Sequence, residues 1–205
     1  MKIGVEPGVG SLRGKAVQLG QLLRSADGLN KLVKDLPGGD DTTTYNGHEG
    51  WYAAADKPVP LIMMTGGELD GARLDAELSF PALLKQDLTK WHAGFPPVSI
   101  DDHAVQVVEG TAAGGTLVKL FFDTKSGLLV RQTRFINTAV GLIPLHVDYS
   151  DYRAVAGVKM PDNWTTTWVD GQSTTELTDV QPNAAVPAAK FMKPAAAMSQ
   201  GPASK

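Results

Sequence analysis

The chain of 205 residues contains no cysteine. Disulfides, thiolate metal ligands, cysteine nucleophiles and covalent c-type haem attachment are therefore excluded within it. The compartment stays open, because reducing and oxidising environments both tolerate a cysteine-free protein. No run approaches the ~18 apolar residues of a membrane-spanning helix. The opening MKIGVEPGVGSL lacks the continuous apolar core of a signal peptide. Either the protein is cytoplasmic or this chain begins after an export signal or an upstream domain. Positive charge is also scarce: 19 Lys and Arg stand against 22 Asp and Glu, for a net charge of −3. They are scattered, without the basic stripe of a nucleic-acid binder.

What is present fits one globular domain. Hydrophobic residues make up 42% of the chain and charged ones 20%, enough to bury a core at this length. We place a single domain over residues 1–194 and a disordered tail over 195–205, where the sequence is rich in Ala, Pro and Ser without periodicity.

From residue 103 onward, short runs rich in Val, Leu, Thr and aromatics (HAVQVVEG, TLVKLFFD, GLLVRQTRFIN, IPLHVDYSDYR, NWTTTWVDG, TTELTDVQP) alternate with Gly-, Asp- and Asn-bearing turns. That rhythm predicts an antiparallel meander. TTTYNGHEGWYAAAD predicts a further hairpin around Asn46-Gly47. KAVQLGQLLRSADGLNKLVKDL is a helix by composition or two strands around Ser25–Gly28, and the Asp-Gly pair favours strands. In the middle, Leu69, Ala72 and Ala76 recur at helical spacing, with Leu74 and Leu78 four apart beside them. Pro81 should break that pattern, giving two short helices over 67–79 and 81–90. A long antiparallel sheet curls, and its inner face must be covered. The expected fold class is mainly β (α+β): a curled antiparallel sheet forming an open half-barrel, with two short helices over its concave face.

Chemistry-bearing motifs are sparse. His48, His92, His103 and His146 do not pair at metal-ligand spacing, and Asp101-Asp102-His103 reads as a solvated turn. His146 shares the outward face of its strand with Asp148, which suits a cross-strand polar contact. Asp148 and Asp151 fall on opposite faces, a poor pair for acid–base work. Ser126-Gly127 and Ser173 lack the setting of a nucleophile elbow, and Gly66-Gly67 opens a helix without the Lys-Ser/Thr of a phosphate loop. No catalytic residue, metal site or cofactor is assigned.

The remaining signal is apolar. Val118, Leu120 and Phe122 share one face of their strand, Val147 and Tyr149 one face of theirs, and Trp164, Thr166 and Trp168 one face of the strand NWTTTWVDG. Such stripes fill a core by default. Trp and Tyr complicate that reading, because each carries a polar group. Packed core and cavity wall both remain open on pattern alone.

FFDTKSGLLVRQTRF, IPLHVDYSDYRAVAGVKMPDNWTTTW and TELTDVQPNAAVPAAKFMKP resemble the C-terminal half of the outer-membrane lipoprotein-sorting superfamily, the LolA- and LolB-type carriers and their relatives. The shared pattern is Asp-x-x-[ST]-Gly-Leu-Leu (Asp123 to Leu129), Asp-Tyr-x-Asp-Tyr-Arg (Asp148 to Arg153), Gly-Val-Lys-x-Pro (Gly157 to Pro161) and Pro-x-x-x-Phe (Pro187 to Phe191). It covers residues 40–194 and is strongest after 116. The resemblance implies a half-barrel of about eleven strands, extracytoplasmic location, and a concavity that holds acyl chains. By matching position, Trp164, Trp168, Val118, Leu120, Phe122, Leu74 and Leu78 would face that concavity, and the inward stripe adds Tyr149. Similar domains also occur attached to c-type cytochromes; without Cys-x-x-Cys-His this chain carries no covalent haem.

Three functional expectations follow. The first is a non-enzymatic extracytoplasmic protein that binds a lipid, an acyl chain of a lipoprotein, or another hydrophobic group. The second is a structural or interaction module of a larger membrane-associated complex, a cytochrome-containing redox complex being one candidate, that docks by an outer face or strand edge. The third, an enzyme, has only Asp101-Asp102-His103 as its foothold.

Overall fold

The computed structural model describes residues 2–7, 18–25, 29–34, 40–54, 57–78, 84–138 and 141–195. Six strands lead: β1 (Lys2–Pro7), β2 (Gln18–Ser25), β3 (Leu29–Lys34), β4 (Asp41–Tyr45), β5 (Gly50–Ala53) and β6 (Leu61–Met63). Helix α1 (Gly66–Glu77) and the single turn α2 (Leu84–Asp87) follow. Eight more strands complete the order: β7 (Leu88–His92), β8 (Val98–Ile100), β9 (His103–Ala112), β10 (Leu117–Asp123), β11 (Leu129–Thr138), β12 (Gly141–Val155), β13 (Val158–Trp168) and β14 (Gly171–Asp179). A 3-10 turn, Ala188–Phe191, buries Phe191 and packs near β3.

All fourteen strands belong to one antiparallel sheet in the order β6-β5-β4-β3-β2-β1-β14-β13-β12-β11-β10-β9-β7, with β8 also pairing with β9. Two meanders are thus sewn together where the first strand pairs with the last, Ile3 opposite Leu177 and Val5 opposite Thr175. The two ends of this path, β6 and β7, are the strands that the helical segment joins.

The sheet is open but curled, and α1 shows why. The helix packs against β3 and β4 on one side and β11 on the other. Seven strand-to-strand steps separate β4 from β11. In a flat sheet they would lie about 34 Å apart, whereas a helix with its side chains is only ~10–12 Å across. The sheet must therefore bend round the helix.

The meander over 103–179 and the hairpin over 41–53 form as the sequence predicts. Asn46 builds the second, its Oδ1 accepting from the His48 and Glu49 amides at 3.0 and 2.8 Å. Residues 18–25 and 29–34 are strands, not a helix, although the Ala26–Gly28 turn lies outside the described residues, as does tail segment 196–205. Two expectations need correction. The described residues form fourteen strands where the resemblance implies about eleven, and two of the fourteen, β6 and β8, are only three residues long. The second helix does not run to residue 90 but stops at Asp87. Beyond it, Leu88 pairs with Ala112 and is buried, and Thr89 donates to the Thr111 carbonyl at 3.2 Å. Pairing with the otherwise open edge of β9 outweighs helical propensity there.

On one side of α1 lies a dry core. Leu74, Leu88, Ala112, Val118 and Leu120 are buried together, with Leu78, Leu84, Phe122 and Leu129 packed around them. Each fully buried side chain of this size contributes about 1.5–3 kcal/mol. Small residues let the helix approach β11: a Cβ on Gly67 would stand 2.8 Å from Ile136 Cγ2, and one on Gly71 would stand 2.6 Å from Arg134 Cζ. Gly66 is needed for another reason, its φ of +53° at the helix start. These contacts account for Gly66-Gly67 without any anion.

Polar ties hold α1 in place. Thr116 Oγ1 donates to Asp70 Oδ2 at 2.5 Å, fastening the helix to the β9–β10 turn. A Cβ on Gly114 would lie 1.8 Å from Asp70 Oδ1. Gly114→Ala should therefore displace the Asp70 carboxylate and cost about 1–3 kcal/mol. In an Asp70→Ala background the same change should cost far less, which a double-mutant cycle by chemical denaturation measures.

Candidate ligand cavity

On the other side of α1 the packing is incomplete. A cavity of about 240 Å³ lies between the helix and strands β2–β4 and β12–β14. Ala72 and Asp75 of α1 roof it, and Trp164, Trp168, Tyr149 and Arg24 are among its walls. Strand alternation puts Trp164, Thr166 and Trp168 on this inner face, as read from the sequence, and all three line the space. Opposite them on β14 stand Ser173 and Thr175, paired with Thr166 and Trp164.

The two indoles play different parts. Trp164 leans on a second small core, where Leu22 and Leu177 are buried, while its other surface meets the cavity. Trp168 is 41% exposed and lies across Gly171, where a Cβ would come within 2.8 Å of the indole. It stands at the rim. The choice between core filler and cavity wall resolves as both for Trp164 and as rim for Trp168.

The eight side chains expected to face a ligand divide into two groups. Trp164, Trp168 and Tyr149 line the cavity. Val118, Leu120, Phe122, Leu74 and Leu78 lie instead in the dry core across the helix. The reason is topological: β10 runs beside β9 and β11, under the opposite flank of α1 from β13.

Arg24 was not legible as a site residue, although it shares the apolar face of β2 with Leu22. A charged residue in phase with a buried leucine was the available signal. Its guanidinium carbon stands 5.4 Å from the Trp164 ring centroid, a cation–π distance. Burial pulls the Arg24 pKa down, a pull that Tyr149 and Asp75 oppose. Burial likewise pushes the Tyr149 phenol well above its ordinary value, with Asp75 adding to it, so it remains a neutral donor. Asp75 is engaged from the sheet side, its Oδ1 accepting from Gln132 Nε2 at 3.1 Å and from Arg134 Nη1 at 3.2 Å.

Elsewhere the polar residues build the fold. Asp101 and Asp102 form an exposed two-residue turn with φ of 48° and 64°, and His103 Nδ1 lies 3.7 Å from Asp123. Asp123 caps its own turn, accepting from the Ser126 amide and hydroxyl at 2.6 Å each; these bonds hold its carboxyl below the usual range. His146 meets Thr133 Oγ1 at 2.8 Å and Asp148 pairs with Arg131, both across the β11–β12 ladder. Among the described residues, no group of three His, Asp or Glu could hold a metal ion.

The same architecture occurs in solved structures. A LolA superfamily protein from Nitrosomonas europaea superposes with a TM-score of 0.58 at 15% identity, over 94% of this chain and 88% of that one. A putative outer membrane lipoprotein-sorting protein domain from Vibrio parahaemolyticus gives 0.58 at 9% identity, over 93% and 88%. A DUF1329 family protein from Desulfovibrio piger gives 0.58 at 10%, over the same shares. The chain has a LolA-type fold. No protein-family model matches the sequence, and no curated protein does. At these identities the likeness fixes architecture and leaves activity to the site.

One electrostatic feature bears on how firmly α1 is seated. Burial, then the Asp87 carboxylate, raises Glu77 at the end of the helix to a pKa of about 7, against the pull of Arg73. Glu77 Oε2 and Asp87 Oδ2 are both enclosed without a hydrogen-bond partner. Because the folded pKa is raised above the ordinary 4.5, the folded state favours the protonated acid. Its contribution is present in full below the ordinary value and is lost as pH rises through about 7. Glu77→Gln should therefore raise Tm at about pH 8.5 and leave it nearly unchanged at about pH 4, as thermal melts across that range would record.

Proposed function

We propose that this chain is a non-enzymatic extracytoplasmic binding protein whose half-barrel holds an acyl chain or similar apolar group between α1 and the inner face of β12–β14. One observation carries the reading: α1 is packed solidly on the β9–β11 side and left unfilled beside Trp164 and Trp168. A protein that only needed a core would gain by filling both sides. The fold shared with lipoprotein-sorting proteins supports an apolar cargo and a location outside the cytoplasm. Ala72 offers a small roof, and the lining combines apolar side chains such as Leu22, Leu32, Val147 and Trp164 with the polar groups of Arg24, Tyr149 and Asp75. That is the usual make-up of a small-ligand pocket.

A second reading has one observation of its own. Edge strand β6 leaves Ile62 at 45% and Met63 at 56% exposure, a surface on which a partner strand could add. A module of a larger membrane-associated complex would use that edge and need no cargo.

Volume bounds the cargo. At ~30 Å³ per water the cavity equals about eight water volumes, so a chain of roughly eight carbons fits before α1 must move. Each further methylene buried up to that length should tighten Kd about fourfold, from ~0.8 kcal/mol. Titrating brominated alkyl ligands should quench the fluorescence of Trp164 and Trp168. Trp51 and Trp91, which lie outside the cavity lining, serve as internal controls. Replacing both cavity tryptophans by Phe should abolish the response. Undiminished quenching in that variant, or no binding at any chain length, would defeat the proposal.

A further inference from the structure

Arg24 raises a question that an apolar cargo alone does not answer. It sits on β2 directly after the run that carries Leu22, and both side chains line the cavity. Its Nε is enclosed and has no hydrogen-bond partner. An arginine keeps its charge in a protein, and an enclosed N–H of it without an acceptor is costly. Asp75 lines the same cavity and acts on Arg24 electrostatically, while its Oδ1 accepts from Arg134 and Gln132 of β11. The Trp164 ring supplies a cation–π contact at 5.4 Å and no lone pair for the Nε proton. Tyr149, whose phenol stays protonated, adds a second donor to the same lining. A donor pair inside an apolar pocket asks for an acceptor that carries one negative charge.

We infer that the cavity takes a single-chain carboxylate, with Arg24 holding the carboxylate head, Tyr149 assisting, and the alkyl chain lying along Trp164 beneath Ala72. The inference rests on the proposed apolar-cargo function and adds the chemistry of the head. One carboxylate neutralises one guanidinium, whereas a phosphate monoester would bring further negative charge into a space that Asp75 also lines. An Arg24 with a carboxylate ligand would also give the enclosed Nε a charge-assisted hydrogen bond.

The test compares octanoate, octanol, octylamine and octyl phosphate by calorimetry on the intact chain. Octanoate should bind at least about tenfold tighter than octanol, as expected for a hydrogen-bonded charge, and octylamine should bind most weakly. In Arg24→Gln the preference for octanoate over octanol should vanish while octanol binding is retained. Comparing the four ligands on the unaltered protein needs no variant to fold. Octanoate and octanol binding equally well would overturn the carboxylate assignment and leave the apolar cavity standing. Octyl phosphate binding more tightly than octanoate would overturn the choice of head group. Failure of all four to bind would instead remove the apolar-cargo reading on which this inference depends.

Discussion

The docking of α1 between two distant parts of one sheet is the constraint from which the rest of the architecture follows. A single helix touches both β4 and β11, seven strand steps apart, so the sheet has no choice but to curl. The polar ties are placed accordingly. Asp70 reaches Thr116 at the β9–β10 turn, Asp75 takes Arg134 and Gln132 from β11, and Arg73 Nε donates to Tyr45 Oη of β4 at 3.1 Å. Glycines at 67 and 71 bring one flank of the helix against β11, and Leu74 seals the core beside it. With that flank fixed, the opposite flank stands off from β12–β14, and alanine at 72 does little to fill the gap. The cavity is the geometric remainder of one well-packed side.

The motifs that resemble lipoprotein-sorting proteins serve this geometry and not the cavity's chemistry. Asp123 and Ser126 close the β10–β11 turn. In the Asp-Tyr-x-Asp-Tyr-Arg segment, Asp148 pairs with Arg131, Tyr152 Oη donates to the Leu129 carbonyl at 2.5 Å, and Arg153 reaches the buried Asp162 at 3.0 Å. Ala156 and Gly157 make the tight turn between the two longest strands, and Phe191 is buried in the 3-10 turn that packs against β3. Of the motif residues, Tyr149 alone lines the cavity. Turn and pairing chemistry of this kind can keep one fold at 9–15% identity while cavity linings diverge.

This division also explains what could be read in advance. Period-two alternation and turn residues made the meander from 103 to 179 legible, along with the hairpin at Asn46, because both signals are local. Which residues share a strand face was equally legible, hence Trp164 with Trp168. Which flank of the helix a face would meet was not, because that depends on strand order. Val118, Leu120 and Phe122 carry the same pattern as the tryptophan stripe yet lie in the dry core. The seam between β1 and β14 joins residues more than 160 apart, and no local pattern encodes it. Arg24 carries no comparable signal, because a single arginine in phase with Leu22 on a strand is equally the mark of a side chain that reaches solvent.

The space beside Trp164 is either a binding site or a packing defect. A crystal structure of the protein soaked with 8-bromooctanoate would decide it by the anomalous signal of bromine. We expect the bromine between Ala72 and Trp164, with carboxylate density at Arg24 and α1 still tied to β11. Bromine confined to the outer surface, with Trp164 closed against the helix, would contradict it.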